Sequence, residues 1–163
     1  MEEVARLSGY NNIPTTFPAM PAEGRTSDPS LGVRNRIKRL MNGFGFTEAI
    51  TYSFASERTG DRLRLKDQDA RRHYLHILNP LTEDQTVMRT SLVPGLIEAV
   101  VYNIAHQVKN LKLFEIGKTY IKSDRQDLPL EPEILAALWT GSRNETSWHQ
   151  GEISCDFYDI KGC

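Results

Sequence analysis

An apolar side chain recurs every three or four residues after Pro29, and this spacing is the strongest constraint on the fold. Residues at that spacing share one side of an α-helix, so the pattern predicts a helix buried along a single face. Ser27 or Asp28 can cap its start, where Pro29 suits the first turn. Gly43 and Gly45 follow the stripe and predict its end. The stripe consists of Val33, Ile37, Leu40, Met41 and Phe44.

The rest of the chain alternates short strand patterns with one further helix. Residues 47–54 are rich in β-branched and aromatic side chains and are predicted as one strand, with Ile50, Tyr52 and Phe54 on a buried face. Residues 56–72 predict a short helix and a loop. Further strands are predicted at 74–78, 112–116 and 134–139, and the last is apolar enough for a central strand.

The second helix is predicted to begin near Ser91 or Leu92, with Pro94 in its first turn. Its apolar face is predicted to hold Leu92, Leu96, Val100 and Ile104, widened by Ile97 and Val101. Strands joined by hairpin-length loops outnumber helices placed as crossovers. The predicted fold class is therefore α+β, an antiparallel sheet flanked by helices.

Composition predicts two regions in an ordinary globular chain. Residues 1–28 are interpreted as the end of an upstream module and an extended linker, because Pro14, Pro18 and Pro21 disfavour helix and central strand there. Residues 29–163 are interpreted as one domain. The helix at the very start indicates a fragment of a longer protein.

Charge and cysteine content exclude several classes of protein. Twenty basic residues against 21 acidic ones give a net charge of −1, which supplies no global field that would attract nucleic acid. No run approaches the ~18 apolar residues of a membrane span, so we expect no membrane association. Two cysteines are too few for a disulfide framework, which favours a reducing, cytoplasmic setting.

Active-site motifs are missing from the sequence. No phosphate-binding loop, dinucleotide fingerprint or nucleophile elbow is present. Glu2 and Glu3 are adjacent on the first predicted helix, so their side chains diverge by about 100°. They suit a favourable acidic first turn, or an oxygen site for a hard cation completed by carboxylates from elsewhere. On the residues alone the first interpretation is favoured.

Longer phrases carry a family resemblance. In order they are EEVARLSGYNNIP (2–14), GFTEAITYSF (45–54), NPL (79–81), MRTSLVPGL (88–96), LFEIG (113–117) and DFYDIKG (156–162). Together they resemble the beta subunit of bacterial phenylalanyl-tRNA synthetase, from the end of its tRNA-associated module into its synthetase-like core domain. The resemblance covers essentially the whole chain.

The resemblance implies a class II aminoacyl-tRNA synthetase fold. The parent enzyme joins phenylalanine to its tRNA with ATP and magnesium, and it contains two alpha and two beta subunits. Chemistry belongs to the alpha subunit, and the beta domain is implied to be a non-catalytic copy that packs against it. Glu2 and Glu3 match acidic positions associated with a magnesium ion that is shared with the alpha subunit.

The chain departs from the catalytic pattern of class II enzymes. Working domains carry an aromatic-Arg-x-acid signature after the Phe-Glu-x-Gly phrase, and its Arg grips the α-phosphate of ATP. Here the run is Tyr120-Ile121-Lys122-Ser123, so an apolar residue replaces the Arg. The third class II motif is expected to lie beyond Cys163. We therefore expect no catalytic residue in this fragment, and we interpret Arg89 as a structural or interface salt bridge.

The sequence also offers two alternative functions and an element for subunit pairing. The vestigial cleft could bind a small molecule, and the basic residues of the first strong helix could bind RNA. A solvated charged face is favoured over RNA binding, because no aromatic residues interleave for base stacking. That helix and residues 47–54 resemble the element through which class II synthetases pair their subunits. We therefore expect self-association of the fragment, or a large apolar patch beside the helix. The basic residues are Arg34, Arg36, Lys38 and Arg39.

Overall fold

The computed structural model describes residues 1–17, 28–123, 128–144, 147–149 and 151–163. The predicted cap Ser27 and the linker residues Pro18 and Pro21 lie outside these ranges. The helices are α1 (Glu2–Ser8), α2 (Pro29–Gly43), α3 (Thr59–Arg62), α4 (Val93–Ala105) and α5 (Phe157–Lys161). The strands are β1 (Thr47–Glu48), β2 (Phe54–Ala55), β3 (Leu75–His76), β4 (Val87–Met88), β5 (Leu111–Lys118) and β6 (Glu133–Thr140). Short 3-10 helices span Tyr10–Asn12 and Ala70–Arg72.

The larger sheet has the strand order β1-β5-β6. β5 and β6 form a long antiparallel hairpin, whose register pairs Leu113 with Leu138. β1 pairs with β5 in the parallel direction, so the prediction of an antiparallel sheet is wrong for this pair. A parallel pair needs a crossover of a dozen or more residues. The smaller sheet and α4, which lie between β1 and β5 in the chain, provide it.

β6 is an edge strand among the described residues, so the prediction of a central strand at 134–139 is wrong there. The second half of β6 is covered on both faces. Ala136 and Leu138 contact the core beneath α4, and Ala137 and Trp139 contact the core beneath α2. Cover on both faces accounts for an apolar edge strand at residues 136–139, whereas Ile134 and Leu135 keep 37% and 45% of their surface exposed.

The smaller sheet is antiparallel, with the order β2-β4-β3. The predicted strand at 47–54 is wrong as a single element, because it is divided between β1 in the larger sheet and β2 in the smaller one. The segment between them is held at both ends: the Ala49 N–H donates to the Phe114 carbonyl, and the Arg89 N–H donates to the Ser53 carbonyl. The predicted strand at 74–78 is present only as the two residues of β3.

The larger sheet lies between α2 and α4, and each helix covers its own core. Met41 of α2 packs with Phe46, Phe114 and Ile116. On the other face, Leu96 and Val100 of α4 pack with Leu113. Successive residues of a strand point to opposite faces, which is why Leu113 and Phe114 contribute to different cores. The predicted burial of Leu96 and Val100 is confirmed.

α2 begins and ends through specific backbone hydrogen bonds. Asp28 accepts from the Ser30 N–H at 2.9 Å, so the predicted cap is confirmed. At the other end Gly45 has a φ of 82°, and the N–H groups of Gly45 and Phe46 donate to the carbonyls of Asn42 and Met41. This is a Schellman motif, and its positive φ favours glycine.

The apolar stripe of α2 is only partly buried. Met41 is buried and Ile37 is half-buried, so these two positions confirm the predicted face. Val33, Leu40 and Phe44 keep 60%, 55% and 45% of their surface exposed, so the predicted burial is wrong for them. The sheet covers one side of α2 and no described element covers the other. On α4, Ile97, Val101 and Ile104 are exposed in the same way.

Among the described residues, no helix is both long enough and apolar enough to cross a membrane.

Candidate functional site

A buried ion pair joins the two sheets beside the start of α4. The Arg89 guanidinium donates to the Glu115 carboxylate at 2.6 Å, and both residues are buried. Thr51 completes the group: its hydroxyl donates to Glu115 at 2.8 Å and accepts from Arg89 at 3.0 Å. Arg89 also donates to the Lys118 carbonyl at 2.9 Å. We call Thr51, Arg89 and Glu115 the buried polar cluster.

The backbone makes room for the buried polar cluster at two glycines. A Cβ on Gly95 would overlap the Thr51 hydroxyl, and a Cβ on Gly117 would overlap the Arg89 guanidinium. The prediction that Arg89 forms a structural salt bridge is thus confirmed. Its partners Thr51 and Glu115 were missed. The usable signal was Glu115 itself, a carboxylate between the apolar residues Phe114 and Ile116 of the predicted strand at 112–116. A carboxylate buried in such a strand requires a charged or hydrogen-bonding partner.

A cavity of about 270 Å³ lies between the residues after Thr51, α3 and the first turn of α4. Hydroxyl groups and carboxylates line much of it. The Tyr74 hydroxyl at its wall is buried and has no hydrogen-bond partner among the described residues. Arg89 also borders the cavity, but its guanidinium is directed to the partners given above. The polar lining includes Thr51, Ser56, Asp84, Ser91 and Glu98.

The run that replaces the catalytic signature continues the β5–β6 hairpin. Ile121 exchanges two backbone hydrogen bonds of 2.9 Å with Leu130, and Thr119 donates to the Pro132 carbonyl. Ile121 therefore has a fixed place in a paired strand, and its side chain has no group that could bind a phosphate. Arg89 is a buried arginine, but its guanidinium is already bound to Glu115.

Apolar side chains of α2 and of residues 49–53 face outward together. Glu48 pairs with Lys38 of α2 at 2.7 Å, which places Glu48 on the α2 side of the sheet. The next residue, Ala49, packs in the core beneath α4, so Ile50 lies on the opposite side with Glu48. Ile50 is 88% exposed, and Tyr52, 76% exposed, borders the cavity near Thr51. We call the exposed apolar residues of α2 together with Ile50 the uncovered apolar surface; it comprises Val33, Leu40, Phe44 and Ile50.

Two of the four basic residues of α2 are paired with carboxylates. Arg34 pairs with Glu133 at 3.1 Å, and Lys38 pairs with Glu48. Arg39 donates to the Asn35 carbonyl of its own helix. Phosphate binding by Arg34 or Lys38 would compete with the carboxylates already in place. The preference for a solvated charged face over an RNA site stays a prediction.

Glu2 and Glu3 lie on α1, which has no buried residue. Glu3 forms an ion pair with Arg6, and both side chains are exposed. No group of three histidine, cysteine, aspartate or glutamate side chains suited to a metal occurs in the described part of the chain. Mg²⁺ requires near-octahedral oxygen ligands, so these two carboxylates alone do not fit a magnesium site.

A family model and curated proteins both match this chain, and their descriptions agree. The family model described as the phenylalanyl tRNA synthetase beta chain CLM domain matches residues 13–163. The phenylalanine–tRNA ligase beta subunit of Syntrophotalea carbinolica is 45% identical over 162 residues, and that of Geobacter metallireducens is 41% identical. The beta subunit of Geobacillus kaustophilus is 38% identical. Each match covers 99% of this chain and 20% of the relative.

A solved pyrrolysyl tRNA synthetase from Desulfitobacterium hafniense shares 17% identity, with a TM-score of 0.49 over 67% of this chain and 36% of that chain. The family model matches residues 13–163 and the curated beta subunits match 99% of the chain. The phrases identified in the sequence, apart from EEVARLSGYNNIP (2–14), lie within the residues that the family model matches. The chain belongs to the phenylalanyl-tRNA synthetase beta chain family.

Proposed function

We propose that this chain is a non-catalytic core of a phenylalanyl-tRNA synthetase beta subunit. Its role is to scaffold the alpha subunit during ATP-dependent attachment of phenylalanine to tRNA. The observation that carries the proposal is the uncovered apolar surface. Monomeric proteins rarely leave contiguous apolar patches larger than a few hundred Å² exposed. A family whose members are named beta subunits supplies the natural occupant, an alpha subunit.

The spacing of the exposed residues on α2 suits a helical partner. Val33, Leu40 and Phe44 follow each other at intervals of seven and four residues, the spacing at which one helix packs along another. Ile50 is exposed beside them. We therefore assign the alpha-subunit interface to the uncovered apolar surface.

The lack of catalysis in this chain rests on phosphate chemistry. A planar guanidinium binds a phosphate through two parallel hydrogen bonds. Ile121, at the matching position, has no polar side-chain atom, and Ser123 replaces the acid of the signature. Arg89 does not substitute for the missing Arg, because releasing it would leave Glu115 buried and unpaired. Incubation of the chain with ATP, phenylalanine and magnesium should give no pyrophosphate exchange, and measurable exchange would contradict the proposal.

Other properties of the complete enzyme remain proposals, because the chain spans 20% of the length of its relatives. We propose a cytoplasmic assembly of two alpha and two beta subunits that uses ATP and binds tRNA. Magnesium would be held jointly with the alpha subunit. Glu2 and Glu3 would contribute carboxylate oxygens to it, and the remaining ligands would come from outside this chain.

A second function is favoured by one observation. The buried and unpaired Tyr74 hydroxyl borders the cavity near Thr51, and a small polar ligand in that cavity would satisfy it. The cavity volume of about 270 Å³ lies just below the usual range for ligand pockets. The ligand of this alternative is therefore a small molecule, because the cavity is too small for ATP together with phenylalanine. Crystal soaking or thermal-shift screening with small polar ligands, on the wild-type chain and on Tyr74→Phe, would test this alternative.

The experiment for the scaffold role is co-expression with an alpha subunit of the same family. Size measurement should reveal a stable complex with the wild-type chain. Ile50→Ser should weaken the complex strongly, because that side chain is 88% exposed on the uncovered apolar surface. Leu128→Ser is the matched control: Leu128 is 76% exposed, on the connection between β5 and β6. Failure of the wild-type chain to form any complex, or equal loss in both variants, would contradict the assignment.

A further inference from the structure

The uncovered apolar surface does not explain why the backbone of residues 49–53 is ordered. The segment leaves Ile50 and Tyr52 largely exposed to water. Neither side chain gains from burial in this chain, so neither holds the backbone in place. Ordering a residue costs roughly 1–2 kcal/mol of conformational free energy. Backbone hydrogen bonds of Ala49 and Ser53 hold the two ends of the segment, and another contact must fix the residues between them.

Thr51 provides that contact from the opposite side of the segment. Its hydroxyl donates to Glu115 and accepts from Arg89, as described above. Its backbone takes part too: the Thr51 N–H donates to Glu115 at 3.3 Å, and Arg89 donates to the Thr51 carbonyl at 3.3 Å. One residue therefore makes four hydrogen bonds to the same buried ion pair.

The buried polar cluster is a rigid support for such an attachment. Glu115 lies in the middle of β5, the central strand of the larger sheet. Arg89 is held by its own backbone, since its N–H donates to the Ser53 carbonyl and its carbonyl accepts from the Tyr120 N–H. Gly95 and Gly117 leave space that any other residue would fill. The position of Thr51 is thereby tied to the core of the molecule.

We propose that Thr51 is a positioning residue for subunit assembly, whose hydroxyl ties the 49–53 segment to the Arg89–Glu115 ion pair so that Ile50 is presented to the alpha subunit already ordered. The inference rests on the proposed function, because it takes the alpha subunit as the occupant of the uncovered apolar surface. A segment ordered before association avoids the ordering cost at the moment of binding. Ala49 packs beneath α4 and Thr51 binds the ion pair, and Ile50 between them is exposed.

The test compares Thr51→Val with Thr51→Ser. Valine keeps the shape of threonine and removes the hydroxyl, and serine keeps the hydroxyl and removes the methyl group. Loss of a hydrogen bond to a charged group should raise amide hydrogen exchange within residues 50–53 by about tenfold in Thr51→Val, read at the residue-51 N–H that donates to Glu115. The affinity of this variant for the alpha subunit should fall by about as much. Thr51→Ser should stay within about twofold of wild type in both measurements.

Two readouts separate positioning from a general loss of stability. Amides of α4 near Leu96 report global opening, and their exchange should change less than that of residues 50–53. If Thr51→Val fails to fold, Thr51→Ala removes the hydroxyl without placing a methyl group against Arg89, and it takes its place in the comparison.

Each outcome bears on a different claim. Unchanged exchange at residues 50–53 in Thr51→Val overturns the inference. Faster exchange with unchanged affinity for the alpha subunit also overturns it and leaves the scaffold role intact. If the wild-type chain itself does not bind the alpha subunit, the proposed function fails and the presentation role fails with it.

Discussion

At the scale of single residues, the buried polar cluster combines a large cost with a specific arrangement. Moving two charges out of water is unfavourable, and the attraction between them offsets this only when hydrogen bonds satisfy the remaining donors and acceptors. Here Thr51 and the Lys118 carbonyl supply those bonds. The cluster therefore specifies how the two sheets meet more than it adds to stability.

Removing one partner of the buried pair should be severe. Glu115→Ala leaves the Arg89 guanidinium buried without its counter-charge, and we expect a loss of about 3–5 kcal/mol in the free energy of unfolding. Glu133→Ala is the control, because its ion pair with Arg34 is more than a third exposed, and it should cost no more than about 1 kcal/mol. Denaturant titration measures both. Similar losses in the two variants would mean that burial does not set the cost.

Two adjacent residues of α4 test the orientation of that helix. Leu96 is fully buried against Leu113, and Ile97 is 39% exposed. Leu96→Ala should cost about 2–5 kcal/mol, the range for truncation in a packed core, and Ile97→Ala should cost clearly less. The measurement is again a denaturant titration of each variant. A loss below about 0.5 kcal/mol for Leu96→Ala would show that the assigned face of α4 is wrong.

At the scale of elements, the start of α2 depends on an ionised side chain. The backbone N–H of Ser30 is the main cause of the lowered pKa of Asp28. A group whose pKa is lowered on folding contributes stability above its unfolded pKa of about 4, and this contribution disappears as the pH falls through the folded pKa. The free-energy difference between wild type and Asp28→Ala should therefore be constant at neutral pH and shrink in acid.

Asp28→Asn provides the control for this pH dependence. Asparagine caps helices about as well as aspartate, and its side chain does not titrate. Its difference from Asp28→Ala should stay constant as the pH falls. Thermal unfolding of the three proteins between neutral pH and about pH 3 gives both differences. If both differences shrink in acid to the same extent, the cap charge is not the source of the pH dependence.

Sequence periodicity predicted where the helices lie better than it predicted which of their residues are buried. The limits of α2 followed from local chemistry, namely a capping carboxylate at Asp28 and a glycine at Gly45, and both were predicted correctly. The burial of Ile50 and Leu40 was predicted wrongly, because a periodic pattern shows that a face requires cover but not which chain supplies it. The parallel pairing of β1 with β5 depends on contacts between residues far apart in the sequence, which local patterns do not contain.

The candidate site was predictable only in part, for a related reason. The phrases around Arg89 and Glu115 were both recognised in the sequence, and Arg89 was assigned to a salt bridge. Nothing in the spacing of the two residues predicts their contact, because they lie 26 positions apart on different elements. Thr51 gave no signal, since a threonine in a strand pattern is most often a packing residue.

At the scale of the whole molecule, the two sheets and their flanking helices leave apolar side chains exposed on more than one face, and the uncovered apolar surface is the one beside α2. The side chains on it protrude from α2 and from the 49–53 segment, whose position is fixed by the buried polar cluster. We propose the alpha subunit as the partner for that surface. Without the partner, the same surface is available to a second copy of the chain.

We therefore expect the isolated chain to self-associate. Burying apolar surface stabilises an interface by roughly 25 cal/mol per Å² before the costs of association, so association should be weak and concentration-dependent. Sedimentation velocity at several concentrations should show an average mass that rises with concentration for wild type. The double variant Leu40→Ser/Ile50→Ser should remain monomeric, because it removes apolar area from both parts of the uncovered apolar surface, and Leu128→Ser should behave as wild type.

A wild-type chain that stays monomeric throughout would show that this surface is too small or too polar to pair with itself. The interface with the alpha subunit would then have to depend on complementarity that a second copy of the chain cannot provide.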